Sequence, residues 1–216
     1  MGLHSRQPLT AALAEEEAEV LRRWGLSRCH AVDVESYWAG LSRLLPDEAT
    51  PPREPHRLIA YIRGRFHRAH RDLLEDAIAL AGAAEAVHAR DDAWPHGLGD
   101  HLAQLLEDLE THLQREDSVV FPLLPGSPDS PLGGRVAAMA EEHRRLCAQL
   151  DDLRRLTRNF APPAQACVAW RLLYVLCGKL DTDLREQMTL EEDVLFAPEL
   201  RVFPEDSTCA NTTLEA

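Results

Sequence analysis

From His56 to Phe196, apolar residues recur every three or four positions in four long stretches, yet each stretch sets a polar side chain on its own apolar stripe. Leu102, Leu105 and Leu109 precede His112 by ten, seven and three residues, the offsets that share one face of an α-helix. Leu146, Leu150 and Leu153 follow His143 at the matching offsets, Leu74 and Ile78 follow His67, and Gln187 and Glu191 continue the stripe of Leu173, Leu176, Leu180 and Leu184. Such a chain must pack helices around a shared core into which polar groups point. The pattern predicts helices over about 56–90, 97–123, 132–160 and 163–196, divided by "DDAWPHG", "PLLPGSPDSPLGG" and "NFAPP", which are loop chemistry. Short connections make long helices antiparallel neighbours, so the expected fold is all-α, an up-down-up-down four-helix bundle.

The bundle is expected to span 51–198. Residues 1–50 form a short helical N-terminal segment, read as "LTAALAEEEAEVLRRWG", with Gly25 as its stop, and "VDVESYWAGLSRLL". Pro46 to Pro55 reads as a linker, and the polar stretch 199–216 as a disordered tail. Sparse β-branched residues leave no source for a sheet, and 45% hydrophobic content suffices for a core. A formal charge of −13 argues against a nucleic-acid surface, which needs clustered Lys and Arg. No apolar run approaches the ~20 residues of a membrane span, and "LTAALAEEEAE" meets acids too early for a signal peptide, so a cytoplasmic protein without a membrane partner is expected. The five cysteines, Cys29, Cys147, Cys167, Cys177 and Cys209, are unclustered and odd in number, and read as free thiols in a reducing compartment. Nucleophilic triads, phosphate loops and Cys-x-x-Cys are missing, which leaves hydrolase, kinase and disulfide-exchange readings without residues.

The chain carries a weak internal repeat. "THLQREDSVVFP" (Thr111 to Pro122) lies over "EQMTLEEDVLFAP" (Glu186 to Pro198) with His112 on Gln187, Glu116 on Glu191 and Phe121 on Phe196. His67 precedes His112 by 45 residues and His143 precedes Gln187 by 44, so two helical hairpins each offer one polar position per helix around a pseudo-twofold axis. A lone core histidine is more often hydrogen-bonded than metal-bound. The carboxylates decide otherwise, because an unpaired buried carboxylate costs several kcal/mol and no Lys or Arg shares these stripes near Glu116 or Glu191. A cation shared between both glutamates and several imidazoles removes that cost. Imidazole and carboxylate without thiolate suit iron, manganese or zinc, and two carboxylates in a bundle core favour a dinuclear redox site.

Ten histidines require selection. His88 lies 21 residues beyond His67, about 31 Å along one helix at ~1.5 Å per residue, so the two cannot share a cluster. His101 stands about 16 Å from His112 by the same rise. His70, one turn from His67, either reaches the edge of the site or is simply solvated or hydrogen-bonded. Asp108, one turn before His112, is a candidate acceptor for its imidazole N–H, with a solvated acid as the alternative. Cys147, one turn after His143, reads as a core thiol. His4, His30, His56 and His96 take no role.

These residues resemble the hemerythrin-like proteins, and within them the "repair of iron centres" family of bacterial di-iron proteins. The matching stretches include "RFHRAHRDLLEDAIALAGAAEAVHAR", "PHGLGDHLAQLLEDLETHLQREDSVVFPLL", "MAEEHRRLCAQLDDLRRLT" and "DLREQMTLEEDVLF", in family order across about 56–198. The resemblance implies a non-haem di-iron site of four His and two bridging Glu, with metal ligands His67, His112, Glu116, His143 and Glu191. The sixth family ligand, a His, falls on Gln187, which implies that one iron is held more weakly. It also implies a role in nitrosative or oxidative stress, with NO or O2 species as small ligands. Two functions follow from it: repair of iron–sulfur client proteins by iron donation, or non-catalytic NO buffering or sensing through a partner. Family members often carry a Cys-Cys-Gly-Gly segment where this chain has "WGLSRCHAVD", which keeps Cys29 alone.

Overall fold

The computed structural model describes residues 7–26, 50–124 and 132–197. "VDVESYWAGLSRLL", the tail after Pro198, Cys29 and Cys209 lie outside these. The described residues form helices and connecting turns, as the periodicity predicts. Helix α1 is Gln7–Arg23. Helix α2 is built from Pro55–Ile62, a π-helical turn Arg63–His67, and Arg68–His88. Helix α3 comprises Leu98–Arg115, a π-helical turn Glu116–Val120 and a 3-10 turn Phe121–Leu123. Helix α4 is Leu132–Leu156, and α5 is Val168–Leu190 followed by the π-helical turn Glu191–Phe196.

Local chemistry sets the ends. The Glu54 carboxylate accepts from the backbone N–H groups of His56 (3.3 Å) and Arg57 (3.1 Å), and Pro55 follows at the first helical position, where its missing N–H has no intrahelical partner to lose. Gly25, at φ 70°, ends α1 as expected, with Leu26 N–H bonded to the Leu21 carbonyl at 2.7 Å. The fourth helix stops at Leu156 rather than near 160. Arg158, Asn159 and Phe160 have φ of 53°, 57° and 60°, and the Thr157 hydroxyl, bonded to the Leu153 carbonyl at 2.7 Å, accepts from Phe160 N–H at 3.2 Å. This side chain stabilises a left-handed turn that periodicity alone cannot reveal. Residues 163–167 likewise precede α5 as a turn instead of forming its first turn.

Each of α2 to α5 packs on two others of the four in a closed ring, α2 on α3, α3 on α4, α4 on α5 and α5 on α2. Arg65 pairs with Glu186 near one end of α2, and the His88 ring lies 4.9 Å from that of Trp170 at the other, so α2 and α5 run antiparallel. Helix α1 lies against α2 and adds Val20 and Leu21 to the main core; Trp24 Nε1–H donates to Asp76 at 2.8 Å. Cys167 and Cys177 are free, but Cys147 is disulfide-bonded, to a partner outside the described residues. The expectation of free thiols fails there, because spacing along a chain does not tell which distant sulfurs meet.

Two apolar clusters fill the bundle. The larger runs through Leu73, Leu80, Leu102, Leu109, Leu150, Leu173 and Leu184, and the smaller gathers Leu58, Ile62, Phe66, Val120, Phe121, Met139, Leu195 and Phe196. His67, His112, Glu116, His143, Gln187 and Glu191 fall in sequence between these clusters on all four helices and are buried, forming a polar layer between two apolar plugs. No helix among the described residues is long and apolar enough to cross a membrane.

Candidate metal centre

Both glutamates of the polar layer open π-helical turns, Glu116 on α3 and Glu191 on α5, and His67 closes one on α2. A π-helical turn inserts an extra residue per turn and rotates the following side chains, which explains its frequency at functional sites. Glu116 Oε1 lies 2.9 Å from His112 Nε2 and 4.0 Å from His143 Nε2, and its Oε2 is 3.3 Å from His67 Nε2. Glu191 Oε2 lies 3.1 Å from His143 Nε2. One ligand atom from each of His112, Glu116, His143 and Glu191 can be chosen so that all lie within 4.8 Å of one another, a grouping able to hold a metal ion. His67 joins through its approach to Glu116. All five residues singled out in the sequence thus converge, and His88 and His101 stay outside: the His88 ring packs on Trp94 and Trp170, and His101 Nε2 lies 2.9 Å from the Gln149 carbonyl.

The buried acids of this chain separate into two kinds. Asp76 pairs with Arg23, Asp181 with Arg154 and Arg185, Asp183 with Lys179, and Glu142 with Arg115. Glu116 and Glu191, both 0% exposed, have no Lys or Arg at ion-pair distance among the described residues. Moreover His67 Nε2, His112 Nε2, His143 Nε2, Glu116 Oε1 and Glu191 Oε2 are buried without a hydrogen-bond partner. Orphaned donor atoms of this kind are rare in folded proteins, because each costs its desolvation energy. Here they face each other, and a cation satisfies all of them together; the residues fit a metal.

The protonation pattern agrees. Burial opposes ionisation of Glu116, but the His112 charge and the close approach of the His112, His143 and His67 imidazoles hold its carboxyl well below the usual range. Burial and the Glu116 charge push Glu191 up to about 7. Burial opposes the charged form of His143, yet the nearby Glu116 and Glu191 carboxylates and its bond to Glu192 raise it well above the ordinary imidazole value. Without a cation the layer retains protons that a metal would displace.

Outer carboxylates hold the His112 and His143 imidazoles by their far nitrogens. His112 Nδ1 is 3.1 Å from Glu142 Oε2 and His143 Nδ1 is 2.8 Å from Glu192 Oε1, both hydrogen bonds, whereas His67 Nδ1 lies 3.4 Å from Asp117 Oδ2 without one, Asp117 being bonded to Arg63 at 2.6 Å. Each of the two bonds leaves Nε2 turned to the cluster, the tautomer a metal requires. The sequence reading missed all three acids and named Asp108 instead. Asp108 is engaged by Gln104 (3.2 Å) and Gln149 (2.6 Å) and does not reach His112. A signal was present: every outer acid adjoins a site residue, Asp117 after Glu116, Glu192 after Glu191, and Glu142 before His143. Phe121 and Phe196, equivalent in the repeat, stack on His67 and His143, with ring centroids 6.1 Å apart in each case.

Gln187 departs from this symmetry. It is fully buried, and its amide nitrogen donates to Glu191 Oε1 at 2.9 Å and more loosely to Glu116 Oε2 at 3.4 Å. It ties the two carboxylates together where a fourth imidazole is otherwise expected.

The chain matches the family described as the hemerythrin HHE cation binding domain over residues 62–197. This protein belongs to that hemerythrin HHE family. Among its relatives is a Musicola paradisiaca protein named "Iron-sulfur cluster repair protein YtfE", 37% identical over 74% of this chain and 75% of the relative. A protein of the same name from Edwardsiella ictaluri is 34% identical over 77% of both chains. One from Yersinia pestis is 36% identical over 67% of this chain and 65% of its own. The resemblance to the repair-of-iron-centres group is therefore borne out, and the HHE match encloses every convergent residue from His67 to Glu191.

A cleft of about 220 Å³ reaches the outer side of the centre, lined by Thr111, His112, Arg115, Glu142 and Gln149 among others.

Proposed function

We propose that this protein holds a dinuclear non-haem iron centre through His67, His112, His143, Glu116 and Glu191, and uses it in repair of iron–sulfur proteins under nitrosative or oxidative stress. The observation that carries the reading is the set of buried, partnerless imidazole nitrogens and carboxylate oxygens that face one another without a Lys or Arg. The names of the relatives supply the client class, iron–sulfur proteins. An iron pair held by imidazole and carboxylate is redox-active and can take up diatomic ligands such as NO or O2 species where the protein offers few donors. The chain's part is to orient the donors through Glu142 and Glu192, to exclude bulk water with two apolar clusters, and to keep protons at His143 and Glu191 until metal displaces them. The setting is cytoplasmic, where iron–sulfur clients and reduced iron are found.

A second reading, an NO buffer or sensor acting through a protein partner, is favoured by the single Cys29 in "WGLSRCHAVD", which leaves no thiol pair at that place. Iron content and the visible spectrum, recorded before and after anaerobic NO, test both. Two irons per chain with N2O release, or with recovery of a damaged iron–sulfur enzyme, supports repair chemistry. A spectral change on NO with neither outcome supports the buffer. Well under one metal per chain from iron-replete cells would sink both.

A further inference from the structure

Gln187 leaves one corner of the centre short of a nitrogen donor, and the internal repeat shows what is missing there. His112 has the outer acid Glu142, which immediately precedes His143; the equivalent residue, immediately before His67, is Phe66. The corner opposite His112 has therefore lost both its imidazole and its outer carboxylate. A second exchange runs the other way. Three residues after His143 stands Leu146, buried in the main core, whereas three residues after His67 stands His70. The first hairpin thus carries an additional imidazole where the second carries an apolar side chain.

His70 is 0% exposed, and neither ring nitrogen has a hydrogen-bond partner. Its ring stacks on Phe66 with centroids 5.6 Å apart. It stands on α2 one turn beyond His67, on the same face of the helix. An imidazole with both nitrogens orphaned is costly in a core that accepts Leu at the equivalent place. On a bundle helix, residues three apart share a face, and a pair of ligands at this spacing is an established way to reach a dinuclear centre. Gln187, meanwhile, turns its amide N–H groups to the carboxylates and acts there as a hydrogen-bond donor.

We propose that His70 is a metal-binding residue of this protein, supplying from α2 the nitrogen donor that Gln187 does not supply from α5. The inference rests on the iron-centre reading above. His67 and His70 together then serve the metal beside Gln187, while His112 and His143 serve the other.

The test uses the full chain and anaerobic titration with Fe(II), and with Co(II) as a spectroscopic probe, on wild type, His70→Leu, Gln187→His and the double variant. Leucine copies the residue that the repeat itself places here, so the metal-free variant should keep its helical circular dichroism and its urea midpoint. The expected result is that His70→Leu weakens the second metal by at least the roughly 10- to 100-fold that loss of an outer partner alone causes. The Co(II) visible bands should change with it. Gln187→His should restore the second metal in the His70→Leu background, which a merely structural His70 would not allow. Should His70→Leu misfold, His70→Asn gives the same readout with a polar side chain. Two metals bound by either His70 variant with wild-type affinity and spectrum would overturn the proposal while leaving the iron centre standing. Failure of wild type to bind metal would overturn both.

Discussion

Replacing Glu191 by Gln in the metal-free protein asks directly whether the polar layer is under electrostatic stress. Glu191 is 0% exposed and is pushed from an ordinary 4.5 up to about 7, first by burial and then by the Glu116 charge. Its folded-state value exceeds its unfolded one, so the carboxyl favours folding below pH ~4.5 and loses that contribution as pH rises through about 7. At ~1.4 kcal/mol per unit, the difference is on the order of 3 kcal/mol by pH 8. A glutamine side chain at this position carries no charge to desolvate, and its carbonyl can still accept the bond that Gln187 N–H gives to Glu191 at 2.9 Å. The exchange does remove one of the three acceptors that raise His143, which offsets part of the gain. Glu191→Gln should therefore match wild type in urea denaturation at pH 4.5 and exceed it by roughly 1 to 3 kcal/mol at pH 8, a large fraction of a typical domain's stability. The same substitution should abolish tight metal binding, separating function from stability. Parallel stability curves for the two proteins across this range would refute the idea that Glu191 is a buried, uncompensated acid.

Three further outcomes follow from the same geometry. Protons held at His143 and Glu191 must leave when metal enters, so affinity should rise about tenfold per pH unit for each proton displaced, up to about 7 for Glu191 and on through the raised His143 value. Titration calorimetry in buffers of different ionisation enthalpy measures that release, and equal affinities at pH 6 and pH 8 would contradict it. Glu142→Gln, which removes the charge behind His112 Nδ1, should weaken metal binding by roughly 10- to 100-fold, whereas Asp108→Ala should leave it unchanged. Leu109→Ala, in the larger cluster one turn below His112, should cost about 2–5 kcal/mol in urea denaturation while the loaded protein keeps its iron spectrum.

Much of this protein was legible in one dimension because helical geometry is local. The offsets linking Leu102, Leu105 and Leu109 to His112 dictate a shared face whatever the helix packs against, so fold class and inward-pointing residues follow from spacing. The same holds for the repeat that set Glu116 over Glu191. Charge accounting along those stripes then pointed to metal, since no cation was close in sequence to either glutamate on its stripe.

What the chain alone could not decide depends on which side chains meet across helices. Glu142 rather than Asp108 backs His112 because α4 brings it there at 3.1 Å, while Gln104 and Gln149 occupy Asp108. Cys147 found a sulfur partner that no spacing announced. The left-handed turn at Arg158 to Phe160 rests on a Thr157 hydroxyl that could equally have faced solvent. Gln187 read as a weaker donor in sequence; the bundle shows it donating to two carboxylates, which only a fixed distance between α3 and α5 can determine. Local periodicity decides where each side chain points from its own helix, and tertiary packing alone decides what it meets there.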